Sequence, residues 1–464
     1  MKKFAFILFA LLSTFYVFSQ EEKYAIGFEQ FKNHYNSNDF QAIFDLFSED
    51  MQNALPLANA LQFFGGIEQQ AGKITSYEFQ EMKYGNAASY KTTFEKAVFE
   101  IQISIDSKTK ISGLLVKPFV ATSKSLLVNE LSTFPQDIAT IIFKNAKNFP
   151  KNTQLSIAVI DNGTATYYGV QIENNKLISV ENKDKIFEIG SLTKVFTATV
   201  LAQLVTEGKI RLTDKINPLY PFLFKNNASL SFENLANHTS GLPRLPTNLE
   251  VSDAENPYKN YGAKEIDTYL ANQMTLATAE NKAYEYSNLG AGLLGHSLGL
   301  SQQTSFDQLL SKIIFKPYKM NRSFTSSKNM ESQLVKGLDA DGEVVSNWDF
   351  DVLLGGGGIL STVSDLVLFA NAQFDPNNKA LSRTQSPTFI INNSMKIGLG
   401  WHLLKSKKGN DVIWHNGATA GYSSSMVLDV KNKNGIVILS NVSGLSSQNA
   451  LIDQLAFALL QTVE

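Results

Sequence analysis

The sequence predicts an α+β protein: an antiparallel sheet flanked by helices, with an inserted helical lobe, preceded by a small α+β domain. Three observations carry this. Helical patterns followed by a run of short strands open the chain, strand-like runs return on both sides of a long loop-rich and helical middle, and a C-terminal helical pattern closes it. The 464 residues are 44% hydrophobic and 18% charged, enough for two or three buried cores and too apolar for a disordered chain.

The first 19 residues read as an export leader. Lys2 and Lys3 precede an apolar run from Phe4 to Phe18, and Val17 and Ser19 place small residues before a cut near Gln20. The run ends before Glu21-Glu22-Lys23, short of the roughly 20 residues that span a bilayer, so a periplasmic or secreted protein without a lasting membrane span is expected.

Residues 20–117 form the first predicted domain. Phe28, Phe31, Phe40, Ile43, Phe44 and Phe47 recur at helical spacing, and Asn53 to Phe64 continues the pattern until Gly65-Gly66. Four strands are expected next, at Tyr77 to Tyr84, Ala88 to Phe94, Ala97 to Ile105 and Ile111 to Val116. The stretch that begins NHYNSNDFQAIFDLFSEDMQ resembles the cystatin-like modules found ahead of secreted hydrolase domains. It carries no catalytic constellation. Residues 118–134, rich in Ser and Thr, read as a linker.

The second domain, 135–464, opens with a helical pattern at Gln136 to Phe149. Gln154 to Asp161 and Thr164 to Val170 flank Asn162-Gly163, a strong hairpin signal. A helix is predicted from Ser191 to Glu207, stopped by Gly208 and apolar nearly all round, so that it must be buried. After the middle lobe, strands are expected at Ile397 to Trp401, Val412 to His415, Ser424 to Asp429 and Gly435 to Ser440, then a helix from Ala450 to Thr462.

Charge and composition exclude several classes of function. Forty-one basic against 43 acidic residues, with no long basic tract, argue against nucleic acid as a partner. Zero cysteines leave catalysis to Ser, Lys, Tyr, His or carboxylates. The five histidines are scattered without metal-ligand spacing, and Gly355 to Gly358 lacks the Lys and Ser/Thr of a phosphate loop, so neither metal nor cofactor is expected and close packing accounts for the glycines.

Ser191 and Lys194 form an S-x-x-K pair near the start of the buried helix. Three residues apart, they share a helix face, and desolvation would push the amine toward its neutral form. That is how a weak hydroxyl becomes a nucleophile. Taken alone, the tetrapeptide also fits a capping serine. Two further motifs, Tyr286-Ser287-Asn288 and His415-Asn416-Gly417, follow in order. Together with FEIGSLTKVFTATVLAQLVTEGKIRLTD, NHTSGLP, YSNLGAGLLG and GGGILSTVSDLVLFA, they make this region resemble the serine β-lactamase and penicillin-binding protein family on its class C side.

The resemblance implies that Ser191 is an acyl-forming nucleophile, Lys194 its proton partner and Tyr286 a co-base that later protonates the leaving group. It makes Asn288, His415, Asn416, Gly417 and Ala418 substrate-binding, with the backbone N–H groups of Ser191 and Ala418 as an oxyanion hole. Peptide or small acyl substrates, peptidoglycan stem peptides among them, are implied. Where relatives usually place lysine, this chain has His415, whose unperturbed pKa is about 6.5, which favours an ester or D-peptide substrate over β-lactams. Two alternatives stand beside this reading. Gly295-His296-Ser297-Leu298-Gly299 fits a nucleophile elbow on Ser297, though helical spacing surrounds it, and a non-catalytic cell-wall sensor could keep the same fold.

Overall fold

The computed structural model describes residues 23–83, 87–119, 127–249, 256–279, 281–328, 330, 332–444, 446 and 450–464. The expected leader lies outside them. The chain divides into two units, residues 1–125 and 126–464.

In the first unit, α1 (23–36) buries Tyr24, Phe28, Phe31 and Tyr35, the 4-3-4 spacing of one helix face. Two short helices follow, α2 (Phe40–Asp45) and α3 (Glu49–Ala54), then α4 (Leu57–Ala71). They pack on a meander of β1 (Ile74–Lys83), β2 (Ala87–Phe94), β3 (Val98–Ile105) and β4 (Ile111–Pro118), paired in that order and all antiparallel. The core is aromatic, with the Phe28 ring 4.1 Å from that of Tyr90. One boundary differs from expectation. Gly65-Gly66 does not break the helix: Pro56 splits the expected run, and α4 passes through both glycines to end at Gly72, whose φ is +76°. Each glycine costs about 1 kcal/mol in a helix, which burial of Phe64 and Ala71 offsets.

The second unit is built on ten strands. In chain order they are β5 (Val128–Asn129), β6 (Gln154–Asp161), β7 (Thr164–Glu173), β8 (Lys176–Ser179), then, after a separate pair β9 (Phe187–Glu188) and β10 (Leu360–Ser361), β11 (Phe389–Asn392), β12 (Met395–Ile397), β13 (His402–Lys405), β14 (Asp411–Ala418), β15 (Ser423–Asp429) and β16 (Asn434–Ser440). The sheet order is β11-β12-β13-β14-β15-β16-β6-β7-β8-β5, antiparallel except for the parallel β5·β8 pair. Asn162 and Gly163 make the β6–β7 turn with positive φ, as an Asn-Gly hairpin requires. The strand expected at Ile397 to Trp401 is instead two strands around a turn, because Gly400 takes φ +77° and the Gly398 N–H bonds back to the Trp401 carbonyl.

Both faces of this sheet are covered. Ile157, Val159, Ile436 and Ile438 point into a core with α5 (Gln136–Ala146) and the C-terminal helix, and Ala158, Ile160, Val437 and Leu439 point into the other with α6 (Thr193–Thr206). The two-residue alternation of a strand sends neighbours to opposite cores, so these strands read as continuous apolar runs. The inserted lobe carries α7 (Phe232–Ala236), α8 (Ala263–Thr268), α9 (Asn288–Ser301), α10 (Phe306–Leu310) and α11 (Leu354–Gly357). Two more helices, α12 (Val363–Gln373) and α13 (Lys379–Thr384), lead back to the sheet, and α14 (Ala450–Leu460) covers its far face.

Candidate active site

Ser191 sits in a tight 3-10 turn, Gly190–Leu192, that runs into α6. Most of helix α6 is buried, and its buried threonines bond backbone: Thr197 donates to the Gly355 carbonyl at 2.8 Å and Thr193 accepts from the Ile359 N–H at 3.1 Å. Lys194 is 2% exposed. Its Nζ lies 2.9 Å from Ser191 Oγ, 2.9 Å from Asn288 Oδ1 and 2.7 Å from the Gly356 carbonyl.

Burial, followed by the nearby Arg244 charge, holds the Lys194 amine well below the ordinary lysine range. A neutral amine has two N–H bonds and one lone pair. The Gly356 carbonyl and the Asn288 amide oxygen are acceptors only, so they take the two N–H bonds and leave the lone pair to the one partner able to donate, the Ser191 hydroxyl. This is the arrangement of a general base on a nucleophile.

Tyr286 packs on the same group. Its ring lies 4.8 Å from Lys194 Nζ, and Ser191 is near enough to its hydroxyl to favour the phenolate. Desolvation pushes the phenol up to about 12 although nearby Ser191 and the Arg244 charge oppose the rise. It therefore stays protonated at neutral pH. Arg244, an exposed residue, stands over the other ring contact at 5.3 Å. His238 supports the turn: its ring is 4.6 Å from that of Tyr286, and its Nδ1 accepts the Ser287 N–H at 3.2 Å. Ser287 in turn caps α9 by accepting the Gly290 N–H at 2.8 Å.

The end of β14 approaches the Ser191 turn closely. A Cβ on Gly417 would come 1.9 Å from the Ile189 carbonyl oxygen, and one on Gly190 2.6 Å from the Ala418 nitrogen. Glycine is required at both. Ser191, Asn288 and Ala418 share one cleft, about 300 Å³ including its open mouth, with Gly190, Tyr258, Trp348, Phe350 and Gly356. Among the expected residues, Ser191, Lys194, Tyr286, Asn288, Gly417 and Ala418 thus come together.

Two expectations are corrected. Asn416 faces away: strand alternation puts it with Trp414 on the α14 side, where its Nδ2 donates to Asp453 at 2.7 Å. Its amide is engaged there rather than turned to the cleft. His415 faces the site's side, but it is 1% exposed, and burial, with smaller effects from its neighbours, holds its imidazole well below the ordinary histidine value. A ring that exchanges its proton near pH 6.5 is therefore not what β14 presents. The elbow reading also falls, since Ser297 is buried in the middle of α9 against the Tyr220 hydroxyl, 3.0 Å away.

Comparison with known proteins decides the family. The family described as Beta-lactamase matches residues 144–460. The chain belongs to the serine β-lactamase family. A β-lactamase of Pseudomonas fluorescens is 30% identical over 54% of this chain and 69% of its own length. Beta-lactamase-like protein 4 of Dictyostelium discoideum is 27% identical over 77% of this chain, and protein flp of Staphylococcus aureus 25% over 62%; this β-lactamase-family chain spans about three fifths of each. The β-lactamase/D-alanine carboxypeptidase of Pseudomonas syringae shares the fold, with a TM-score of 0.60 at 20% identity over 71% of this chain and 98% of its own. Residues 29–114 match a family described as a protein of unknown function.

Several residues of this β-lactamase-family site escaped the sequence reading. Gly356 contributes a carbonyl, which no side chain announces. Glu188, 5% exposed, accepts from the Trp348 N–H at 2.9 Å and from Asn347 Nδ2 at 2.7 Å, and burial pushes its carboxyl up. One signal for it was present, a lone carboxylate in the apolar run Ile186-Phe187-Glu188-Ile189. Tyr258 lies in the loop-rich middle, and Trp348 and Phe350 lie just beyond its end at Ser346, where no periodicity marks a cleft.

Proposed function

We propose that this protein is an exported serine hydrolase that forms an acyl-enzyme on Ser191, acting on ester, amide or D-amino-acid peptide substrates. The observation that carries the reading is the buried, depressed Lys194 amine 2.9 Å from Ser191 Oγ with its two other partners both acceptors. Ser191 Oγ attacks the substrate carbonyl while its proton passes to Lys194 Nζ. The oxyanion forms against the backbone N–H groups of Ser191 and Ala418, a contribution of about 10²–10³ in rate per donor. Tyr286, protonated and near Ser191, relays that proton to the leaving alcohol or amine as the carbonyl re-forms. Water then enters, loses its proton to the same Lys194–Tyr286 pair, and releases the acid and free Ser191.

Asn288 is engaged at both ends, Oδ1 on Lys194 and Nδ2 on the Tyr258 hydroxyl at the longer distance of 3.3 Å. The nitrogen is the end that turns to a substrate carbonyl. The names of the relatives point to β-lactams and D-alanine peptides. A neutral His415 offers no full charge to a substrate carboxylate, which favours esters and peptides over penicillins.

The test is intact mass of the full chain after a fluorophosphonate and, separately, a fluorescent penicillin. One phosphonyl group on Ser191, absent in Ser191→Ala, is expected. An unlabelled chain would favour a non-catalytic sensor.

A further inference from the structure

Glu188 is a buried carboxyl on β9, two residues ahead of Gly190, and takes no part in the proton transfers proposed above. Such a group is costly unless it is well bonded. Its Oε1 accepts two N–H groups at once, from Asn347 Nδ2 at 2.7 Å and from the Trp348 backbone at 2.9 Å. Burial pushes the carboxyl up, although Thr419, which is near enough to favour the carboxylate, and these two donors oppose the rise.

The bonds close a circuit. Asn347 Nδ2 spends its second N–H on the Tyr422 hydroxyl at 2.9 Å, that hydroxyl donates to the Val335 carbonyl at 2.6 Å, and the Val335 N–H returns to β9 at the Ile186 carbonyl, 2.9 Å away. Each link ends on an element of the site. Tyr422 stands at the β14–β15 turn, where its carbonyl accepts at 2.9 Å the N–H of Thr419, the residue after Ala418. Glu188 leads directly into Gly190-Ser191, and Trp348 lines the cleft. The turn has no slack, since a Cβ on Gly337 would stand 2.7 Å from the Tyr422 ring and one on Gly421 2.7 Å from the Gly337 Cα.

In the proposed reaction the oxyanion is shared between two elements, the Ser191 turn and the Ala418 end of β14. Strand β9 pairs with β10, outside the ten-stranded sheet that carries β14, so among the described residues no ladder fixes the span between them. Side chains fix it instead: Ser424 Oγ donates to the Ile189 carbonyl at 2.8 Å, and the Glu188 circuit ties β9 to the turn beyond Ala418.

We infer that Glu188 is a positioning residue for acyl transfer, holding the β14–β15 turn and the 347–348 segment against the Ser191 turn so that the two oxyanion N–H groups keep their spacing. This rests on Ser191 being the nucleophile.

The experiment compares the full wild-type chain with Glu188→Ala, Glu188→Gln and Tyr422→Phe. Three quantities are measured: the melting curve, kcat and KM on p-nitrophenyl acetate, and the rate at which a fluorophosphonate, whose phosphoryl oxygen enters the same hole, labels Ser191. Folded Glu188→Ala is expected to lose about 10² in kcat and in labelling rate, the scale of a misplacement of about 1 Å, and to keep KM within a few-fold. Glutamine can still accept both N–H bonds on its amide oxygen, so Glu188→Gln should stay within about tenfold of wild type. Tyr422→Phe opens the same circuit without altering Glu188 and should lower both rates several-fold. A folded Glu188→Ala chain with wild-type rates, a rise in KM alone, or a glutamine variant as slow as the alanine variant overturns the proposal. If Glu188→Ala does not fold, Tyr422→Phe decides, and unchanged rates in that folded variant overturn it. An unlabelled wild-type Ser191 defeats the nucleophile and this role with it; a labelled Ser191 with rates unmoved in all three variants defeats the positioning role alone.

Discussion

Lys194 shows how a single residue's surroundings set its chemistry. Burial is the first cause of its depressed amine and Arg244 the second, so removing the Arg244 charge lets the amine hold its proton to higher pH. In the mechanism proposed above, Lys194 must be neutral to act as the base. For Arg244→Gln the acidic limb of kcat/KM on a neutral ester therefore moves to higher pH, while no alkaline fall from Tyr286 appears until pH nears about 12. A pH–rate profile of both proteins checks this, and an unmoved limb would remove Arg244 from the electrostatics of the site. Lys194 was readable because a lysine in a helix apolar all round has to be explained. Asn416 was readable too: Trp414 and Asn416 alternate with His415 and Gly417, so the motif H-N-G cannot aim all three positions at one cleft. His415 also meets the rings of His402 on the neighbouring strand β13, 5.4 Å away, and of Tyr286, 6.5 Å away from a segment far off in the chain, and no local pattern carries the second contact.

Among elements, the approach of β14 to the Ser191 turn matters most. The Gly417 Cα is the narrowest point, since an added Cβ would stand 1.9 Å from the Ile189 oxygen, backbone against backbone with no flexible side chain to yield. Gly417→Ala forces the strand end and the Ser191 turn apart. Overpacking of this kind costs about 1–3 kcal/mol, and a displacement near 1 Å at the reacting atoms costs about 10² in rate. The expected outcome is a protein that folds with a lowered Tm and loses ester turnover by roughly that factor; full turnover would mean the oxyanion does not form between these elements. Strands β6 and β16 were legible because burial on both faces leaves apolar runs, Ile157 to Ile160 and Ile436 to Leu439. Boundaries ruled by a few residues were not: glycines lie inside α4, and Gly400 divides β12 from β13. The glycine run at 355–358 was read as close packing, and a Cβ on Gly355 would lie 2.8 Å from the Ala291 carbonyl oxygen.

At the scale of the molecule, each unit has its own apolar core, so a chain of residues 126–464 should fold and keep turnover on small esters, as measured by circular dichroism and kinetics. Starting instead at Phe134 would remove β5, within the stretch read as a linker, and Leu131, which is 2% exposed, and should lower Tm. Stability of the folded whole also depends on pH through buried histidines. His402 is 8% exposed with Nε2 2.9 Å from the Tyr284 hydroxyl, and burial lowers its pKa from 6.5 to about 4. The folded value lies below the unfolded one, so as pH falls the unfolded chain takes up this proton first. The resulting loss of stability runs from about pH 6.5 down to about 4, at about 1.4 kcal/mol per pH unit, and totals on the order of 3 kcal/mol. His238 and His415, depressed first of all by burial, act in the same direction. Glu188, Asp365 and Asp453 oppose them, because burial raises their carboxyl pKa values and the folded state takes their protons first. Only a difference between variants isolates one group. Glutamine in His402→Gln can still bond the Tyr284 hydroxyl but cannot titrate, so the variant is expected to lose less Tm than wild type between pH 7 and pH 4.5. Parallel Tm curves for the two proteins would show that His402 binds its proton equally in both states, and would remove it from the acid sensitivity of the fold.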